Sequence, residues 1–179
     1  MRIAISGTHR SGKTSLIEAL GARLPKYTCA EEPYHALVED GFEFNHPPSL
    51  EDFEAQLEWS IERLGEGEGN VLFDRCPADF LAYIAEHEDA DAFDQDLWLP
   101  RVRDALETLD LIVFVPLEEP DRIAVSRADD ATSSRSRVDE QLRAMLAEDS
   151  YGFGAEVLEV QGGIEQRLRT VVAHMQRGR

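Results

Sequence analysis

The chain is poor in positive charge, and this shortage already narrows its function. Lysine and arginine together number 18 of 179 residues, against 36 aspartates and glutamates, which gives a formal net charge of −18. A surface of this sign repels nucleic acids and anionic membranes, so neither is an expected partner. It also makes a local cluster of arginines informative, because a polyanionic ligand needs one.

Cysteines and long hydrophobic runs are also scarce. The two cysteines, Cys29 and Cys76, form neither a disulfide framework nor a metal-ligand pattern, which fits a reduced, intracellular protein. The apolar run at residues 111–115 is far too short to span a bilayer, and the run at residues 2–6 is too short for a signal peptide. We therefore expect a cytoplasmic protein that is a monomer or a homodimer.

Short apolar runs alternate with helical patterns along most of the chain. Strands are predicted at residues 2–6, 27–30, 71–74, 111–115 and 157–160, and helices at 13–24, 50–64, 77–85, 101–109 and 164–176. Residues 35–50 read as a long connection, and residues 120–148 as helical with an interruption at "DDATSS". This order predicts an α/β fold, a five-stranded parallel sheet with helices on both faces, in one domain spanning residues 1–179.

The stretch "GTHRSGKT", residues 7–14, has the complete spacing of a phosphate-binding loop. Its glycines let backbone N–H groups point at phosphate oxygens, Lys13 adds a positive charge, and the Thr14 hydroxyl is suited to Mg²⁺. A predicted strand precedes the loop and a helix N-terminus follows it, as this motif requires. We therefore expect a nucleoside triphosphate to be bound by Gly7, Arg10, Ser11, Gly12, Lys13, Thr14 and Ser15.

The strand "VLFD" and the arginine after it favour phosphoryl transfer over hydrolysis. No guanine-reading N-K-x-D stretch is present, and Arg75 stands where motor-type ATPases usually carry a glutamate. Asp74, at the carboxyl end of a buried strand, is placed to hold Mg²⁺ opposite Thr14. Arg75 offers a planar fork for an anionic oxygen of substrate or product. The alternative is an Asp74–Arg75 ion pair without a ligand.

Together, "GTHRSGKT", "EEP" at residues 31–33, "FDRCP" at 73–77 and an arginine-rich segment before the last strand resemble nucleoside and nucleotide kinases. The resemblance is to deoxynucleoside kinases, thymidylate kinases and the ATPase/kinases of NAD metabolism. It implies a three-layer P-loop NTPase fold, a helical lid at about residues 120–149, ATP as donor, and a nucleoside or nucleotide as acceptor. Two features depart from it: Cys76 replaces a serine, and no "REPGG" stretch occurs.

The resemblance also assigns residues to the acceptor side. Glu32 matches the base that accepts the hydroxyl proton, although Glu31 and Glu32 could also be a solvated pair. Gln56, on the helix at 50–64, matches a glutamine that pairs with the substrate base, and Trp59 could stack on an aromatic ring. The alternative for both residues is a polar helix flank with one tryptophan at the edge of the core.

Arginines at residues 126–137 resemble those that a lid brings to the migrating phosphoryl group. We take Arg127 and Arg137 ahead of Arg135 as catalytic candidates, alongside Lys13 and Arg75. The alternative is an exposed loop whose arginines pair with nearby aspartates. Gly162, in "VQGG" after the last strand, is expected to hold the adenine. A nucleotide-dependent switch and a slow ATPase are the rival functions.

Overall fold

The computed structural model describes residues 1–67, 69–118 and 131–177, with the backbone but not the side chains of residues 131–133. The predicted parallel sheet is confirmed. Its strands are β1 (Arg2–Ser6), β2 (Thr28–Ala30), β3 (Val71–Asp74), β4 (Leu111–Phe114) and β5 (Val157–Glu159), in the order β2-β3-β1-β4-β5. Every pair is parallel, so the carboxyl ends of all five strands lie at one edge.

Helices cover both faces of this sheet and make the fold three-layered. In chain order they are α1 (Lys13–Arg23), α2 (Pro33–Glu39), α3 (Leu50–Gly65), α4 (Pro77–Ala85), α5 (Gln95–Leu106), α6 (Ala131–Leu142), which continues as a π-helical turn (Arg143–Ala147), and α7 (Ile164–Arg177). One core joins the sheet to α1 and α7 through residues such as Ile5, Leu16 and Val171. The other joins it to α3, α4, α5 and α6 through residues such as Phe73, Leu57 and Phe80.

Two helices differ from the sequence prediction. Residues 35–39, predicted as part of a connection, belong to α2 (Pro33–Glu39), which starts with Pro33 in the first helical turn. Helix α5 begins at Gln95 rather than residue 101, because Asp94 accepts a hydrogen bond from the Leu97 N–H and caps it. Pro100 lies inside α5, where the hydrogen bond it removes belongs to a water-exposed turn.

The predicted interruption at residues 129–134 is also corrected. Residues 131–134 form the first turn of α6, while residues 119–130 lie outside the described part of the chain. The predicted lid is thus described only from residue 131 onward, where it is helical. Within the described ranges, no helix combines the length and the apolar character needed to cross a membrane.

Candidate nucleotide and acceptor site

At two positions of the loop between β1 and α1, the backbone adopts a conformation that only glycine accommodates. Gly7 has φ +151°, and a Cβ there would lie 2.5 Å from the Val115 carbonyl oxygen. Gly12 has φ +94°, and its Cβ would lie 2.9 Å from Nη1 of Arg167. The curled loop buries Lys13, whose Nζ donates to the Thr8 carbonyl oxygen at 2.8 Å. The phosphate-binding motif therefore has the local geometry that its sequence predicted.

A hollow of about 280 Å³ opens over this loop, and we call it the phosphate hollow. It is lined by His9, Arg10, Gly12, Lys13, Thr14, Ser15, Glu32, Asp74 and Arg75. Burial and the nearby Arg75 charge lower the pKa of Lys13, while burial and the Glu32 charge raise the pKa of Asp74. A phosphate oxygen would favour the charged form of Lys13, and a divalent cation that of Asp74. A metal-bound triphosphate in this hollow would therefore favour the charged forms of both Lys13 and Asp74.

A second hollow, of about 210 Å³, lies on the other side of the loop and includes Ser11, Ser15, Glu118, Gly162 and Arg167 in its lining. The Gly162 N–H donates to Glu118 at 2.6 Å. Arg167 donates through Nη1 to the Ser11 carbonyl oxygen at 2.9 Å and through Nη2 to Glu118 at 2.9 Å. We call this the Gly162 hollow. It joins the phosphate loop to the start of α7 in one concave surface.

An aromatic cavity of about 440 Å³ lies beyond the phosphate hollow, between α2, α3 and α4. The rings of Tyr34 and Phe44 are in contact, with centroids 4.5 Å apart, and those of Phe53 and Tyr83 are stacked, with centroids 5.4 Å apart. All four rings line the cavity, together with His9, Glu32, His35, Asn45, His46, Pro48, Gln56, Arg75 and Phe80. The volume and the flat walls suit one heteroaromatic small molecule.

Glu32 and Arg75 line both the phosphate hollow and the aromatic cavity, so they form a wall common to the two spaces. Arg75 Nε donates to Glu32 Oε1 at 2.7 Å. Burial alone would raise the pKa of Glu32, but the charge and hydrogen bond of Arg75 outweigh it and lower that pKa. Glu32 is therefore ionised at neutral pH. Glu31 is exposed and lines neither space, which separates the two neighbouring carboxylates.

Arg75 is held in place by Asp79, a residue that the sequence analysis did not single out. Asp79 is fully buried and accepts from the Gly7 N–H at 3.0 Å, the Cys76 N–H at 2.9 Å and Arg75 Nη1 at 3.4 Å. Arg75 has φ +77°, unusual for a residue with a side chain. The guanidinium pairs with Glu32 and Asp79 rather than Asp74, which leaves Asp74 to the phosphate hollow. The sequence does carry one signal for Asp79. It stands three residues after Cys76, the N-cap residue of α4, where an acidic side chain commonly accepts from the N-cap backbone N–H.

The two predicted acceptor residues on α3 are separated by the structure. Gln56 is buried and lines the aromatic cavity. Trp59 does not line it, and instead borders a separate surface depression with Glu62, Arg63 and Glu66. The expected stacking of Trp59 on the acceptor is therefore corrected. Phe53, one helical turn before Gln56, supplies an aromatic face there, since residues three apart share a helix face.

The choice among the lid arginines is corrected as well. Arg137 donates through Nε to Glu86 at 2.7 Å in an exposed ion pair, away from both hollows. Arg135 is buried and donates to the carbonyl oxygens of His9 at 2.8 Å and Arg10 at 3.3 Å. Arg135 and Arg137 are two positions apart on α6, so their side chains point to different sides of the helix, and only Arg135 contacts the loop. Arg127 lies outside the described residues.

Solved structures with the same fold match this chain over nearly its whole length. Deoxyadenosine kinase from M. mycoides has a TM-score of 0.68 at 14% identity, with 100% of both chains covered. NadR in complex with NAD and AMP-PNP has a TM-score of 0.69 at 18% identity, covering 99% of this chain and 49% of the other. Thymidylate kinase from Candida albicans has a TM-score of 0.62 at 17% identity, covering 98% and 91%.

The chain belongs to the AAA domain family whose sequence pattern matches residues 2–167. No curated protein matches it in sequence. The resemblance to P-loop nucleoside and nucleotide kinases is confirmed. At 14% to 18% identity, the solved structures show that this chain shares their fold.

Proposed function

We propose that this protein transfers the terminal phosphoryl group of ATP to a nucleoside-like or nucleotide-like small molecule. The observation that carries the proposal is the common wall, in which Glu32 and Arg75 border the phosphate hollow on one side and the aromatic cavity on the other. A hydrolase or a switch has no need of a second cavity that opens on the same carboxylate. A kinase needs both spaces in contact, since donor and acceptor must meet in line.

In the proposed reaction an oxygen of the acceptor bonds to the terminal phosphorus of ATP as the bond from that phosphorus to the bridging oxygen breaks, and ADP leaves. Lys13 and Arg75 balance the charge on the phosphoryl oxygens, and Arg135 holds the loop from the side of α6. Glu32 orients a hydroxyl acceptor and takes its proton late in the transfer. The nucleoside end of ATP would occupy the Gly162 hollow, whose lining includes Arg167 and Gly162.

Thr14 and Asp74 are the residues that would hold Mg²⁺. Both line the phosphate hollow, and together they offer one hydroxyl and one carboxylate oxygen. Mg²⁺ commonly takes only one or two protein ligands and completes its shell with water and phosphate oxygens, so this donor set fits. The bound ion would neutralise charge between the two end phosphates of ATP.

The partners we propose are therefore ATP, Mg²⁺ and a small-molecule acceptor. The net charge of −18 disfavours nucleic acid and anionic membrane surfaces. We further propose that the chain works as a single P-loop domain over residues 1–179, in the cytoplasm, as a monomer or a homodimer.

The test is an assay of the purified chain with Mg-ATP and a panel of nucleosides and their 5′-monophosphates, scoring ADP and phosphorylated product together. We expect ADP release that depends on an acceptor and matches product in amount. Lys13→Met should lower the transfer rate about 100-fold or more, because it removes the charge aimed at the phosphates. Lys26→Met is the matched control, since Lys26 is exposed and lines none of these spaces.

Two outcomes would contradict the proposal. ATP that binds tightly but is turned over at one rate whatever acceptor is present would indicate a switch or a slow ATPase. Equal activity of Lys13→Met and Lys26→Met would show that the phosphate loop takes no part in the transfer.

A further inference from the structure

Tyr83 on α4 reaches from the aromatic cavity to the phosphate loop. Its ring lines the cavity and is stacked on Phe53, with centroids 5.4 Å apart and ring planes 7° apart. Arg75 Cζ lies 5.6 Å from the centroid of the same ring, within the range of a cation–π contact. The Tyr83 hydroxyl oxygen accepts a hydrogen bond from the His9 N–H at 3.0 Å. One side chain therefore contacts the cavity, the common wall and the phosphate loop.

The backbone of His9 is held from two sides by different helices. Tyr83 on α4 binds its N–H, and Arg135 on α6 donates through Nε to its carbonyl oxygen at 2.8 Å. The next residue, Arg10, has φ +56°, a left-handed conformation that a residue with a side chain keeps only when its surroundings hold it. His9 itself lines both the phosphate hollow and the aromatic cavity. The shape of this part of the loop therefore depends on the contacts at His9.

We propose that the Tyr83 hydroxyl couples the two sites, so that an acceptor in the aromatic cavity tightens the binding of ATP at the phosphate loop, and ATP tightens the binding of the acceptor. The inference rests on the proposed function, because it takes the cavity as the acceptor site. Tyr83 is in this respect a positioning residue, which acts on the triphosphate through the backbone of His9.

The coupling has a physical basis in the ordering of the loop. An acceptor that packs against the Tyr83 ring restricts its motion, and the hydrogen bond from the His9 N–H passes this restriction to the loop. Ordering costs conformational entropy, and a triphosphate that arrives second meets a loop that is already ordered. The effect is the same in the opposite order of binding, because one coupling free energy is shared by both sites.

The experiment measures the Kd of a non-hydrolysable ATP analogue with Mg²⁺ by calorimetry, with and without a saturating acceptor. The acceptor probes are guanosine, cytidine, thymidine and uridine and their 5′-monophosphates, because adenosine would compete with the analogue for the Gly162 hollow. We expect the probe that binds most tightly to lower the Kd of the analogue about 3-fold to 10-fold, the range that one hydrogen bond supplies.

Tyr83→Phe removes the hydroxyl and keeps the ring, so the ratio of the two Kd values should fall to about one. Tyr151→Phe is the matched control: Tyr151 is also half-buried and stacked on a phenylalanine, with centroids 5.7 Å apart, but it lines neither the phosphate hollow nor the aromatic cavity. This control should keep the ratio of the unsubstituted chain. Circular dichroism verifies that both variants are folded. A loss of stability alone would weaken both binding steps and leave their ratio unchanged.

The outcomes separate the coupling from the kinase proposal. Product from an acceptor, with a ratio near one in the unsubstituted chain or with the full ratio kept in Tyr83→Phe, would overturn the coupling and leave the kinase proposal standing. A ratio that depends on Tyr83, with no product from any acceptor, would support the coupling and overturn the kinase proposal. An equal fall of the ratio in Tyr83→Phe and Tyr151→Phe would overturn the assignment to Tyr83. If no probe binds, the coupling is overturned as well.

Discussion

At the scale of single residues, Glu32 is the proposed base, and its substitution tests the proposed phosphoryl transfer separately from nucleotide binding. Glu32→Gln keeps the size of the side chain and its ability to accept from Arg75, but removes the proton acceptor. We expect kcat for a hydroxyl acceptor to fall about 100-fold or more, with the Kd for ATP little changed. Steady-state kinetics and calorimetry with a non-hydrolysable ATP analogue measure the two quantities.

Glu31→Gln is the control for this substitution, because Glu31 is the exposed neighbour that lines neither space. Its kcat should remain within a factor of about two of the unsubstituted chain, as surface changes usually do little. An equal loss in both variants would mean that the "EEP" segment acts through charge or folding rather than through a positioned base.

The Glu32–Arg75 ion pair also makes a prediction about stability and pH. The pKa of Glu32 is lowered in the folded state from its ordinary value of 4.5, so the folded chain binds its proton less readily than the unfolded chain does. The stability from this pair is therefore fully present above pH 4.5 and is lost as the pH falls through the lower, folded value.

Urea denaturation of the unsubstituted chain and of Glu32→Gln at a series of pH values measures this contribution. The difference in the free energy of unfolding should be constant from neutral pH down to mildly acidic pH and should shrink below pH 4.5. If this difference in the free energy of unfolding grew in acid, Glu32 would be protonated more easily in the folded chain than in the unfolded one. That result would contradict a stabilising ion pair with Arg75.

At the scale of elements, α6 is tied to the phosphate loop by Arg135 and to α4 by Arg137. Arg135→Ala removes the hydrogen bonds to the His9 and Arg10 carbonyl oxygens, and should lower kcat/KM for ATP about 10-fold or more by loosening the loop. Arg137→Ala removes an exposed ion pair with Glu86, which is worth about 0–1 kcal/mol. Each variant is the control for the other in the same assay. A larger loss of kcat/KM in Arg137→Ala than in Arg135→Ala would support Arg137 as the catalytic arginine.

Elements with a local signal could be predicted from the sequence, and those set by distant contacts could not. The phosphate loop and its flanking β1 and α1 are encoded within residues 2–23, and their bounds are close to those predicted. Helix α2 is seven residues long with one buried side chain, too little for a periodic pattern. Helix α5 begins at Gln95, before the predicted start at residue 101, because the exposed turn around Pro100 tolerates the loss of the hydrogen bond that proline removes.

The candidate site shows the same division. Lys13, Thr14 and Asp74 follow from motifs, and the phosphate hollow contains all three. Arg167 reaches the loop across 156 residues of sequence, and no local pattern marks it. The arginine cluster marks Arg135, but it does not show that Arg135 rather than Arg137 contacts the loop, 126 residues away. Trp59 lies one helical turn after Gln56 on α3, and there it borders the depression with Glu62, Arg63 and Glu66 instead of the aromatic cavity. Sequence spacing gives the face of a helix, but only packing shows what that face meets.

For the whole molecule, the excess of negative charge predicts a dependence of stability on salt. With 36 acidic and 18 basic residues, the folded surface repels itself at neutral pH. Raising NaCl from about 0.05 M to about 0.5 M shortens the screening length and should raise the midpoint of thermal unfolding. The same series near pH 4.5, the isoelectric point, should show a smaller effect. A midpoint that falls with salt at neutral pH would mean that attractive ion pairs outweigh the repulsion.

The contact between Arg167 and the phosphate loop has a consequence for synthesis on the ribosome. The loop leaves the ribosome well before α7 does, because Arg167, which contacts the loop and lines the Gly162 hollow, lies 156 positions after Ser11. Partial chains therefore display the phosphate motif without the surface that completes it. Under the proposed function, ATP would stabilise only chains in which α7 has docked on the loop, and it would leave shorter nascent chains without this stabilisation.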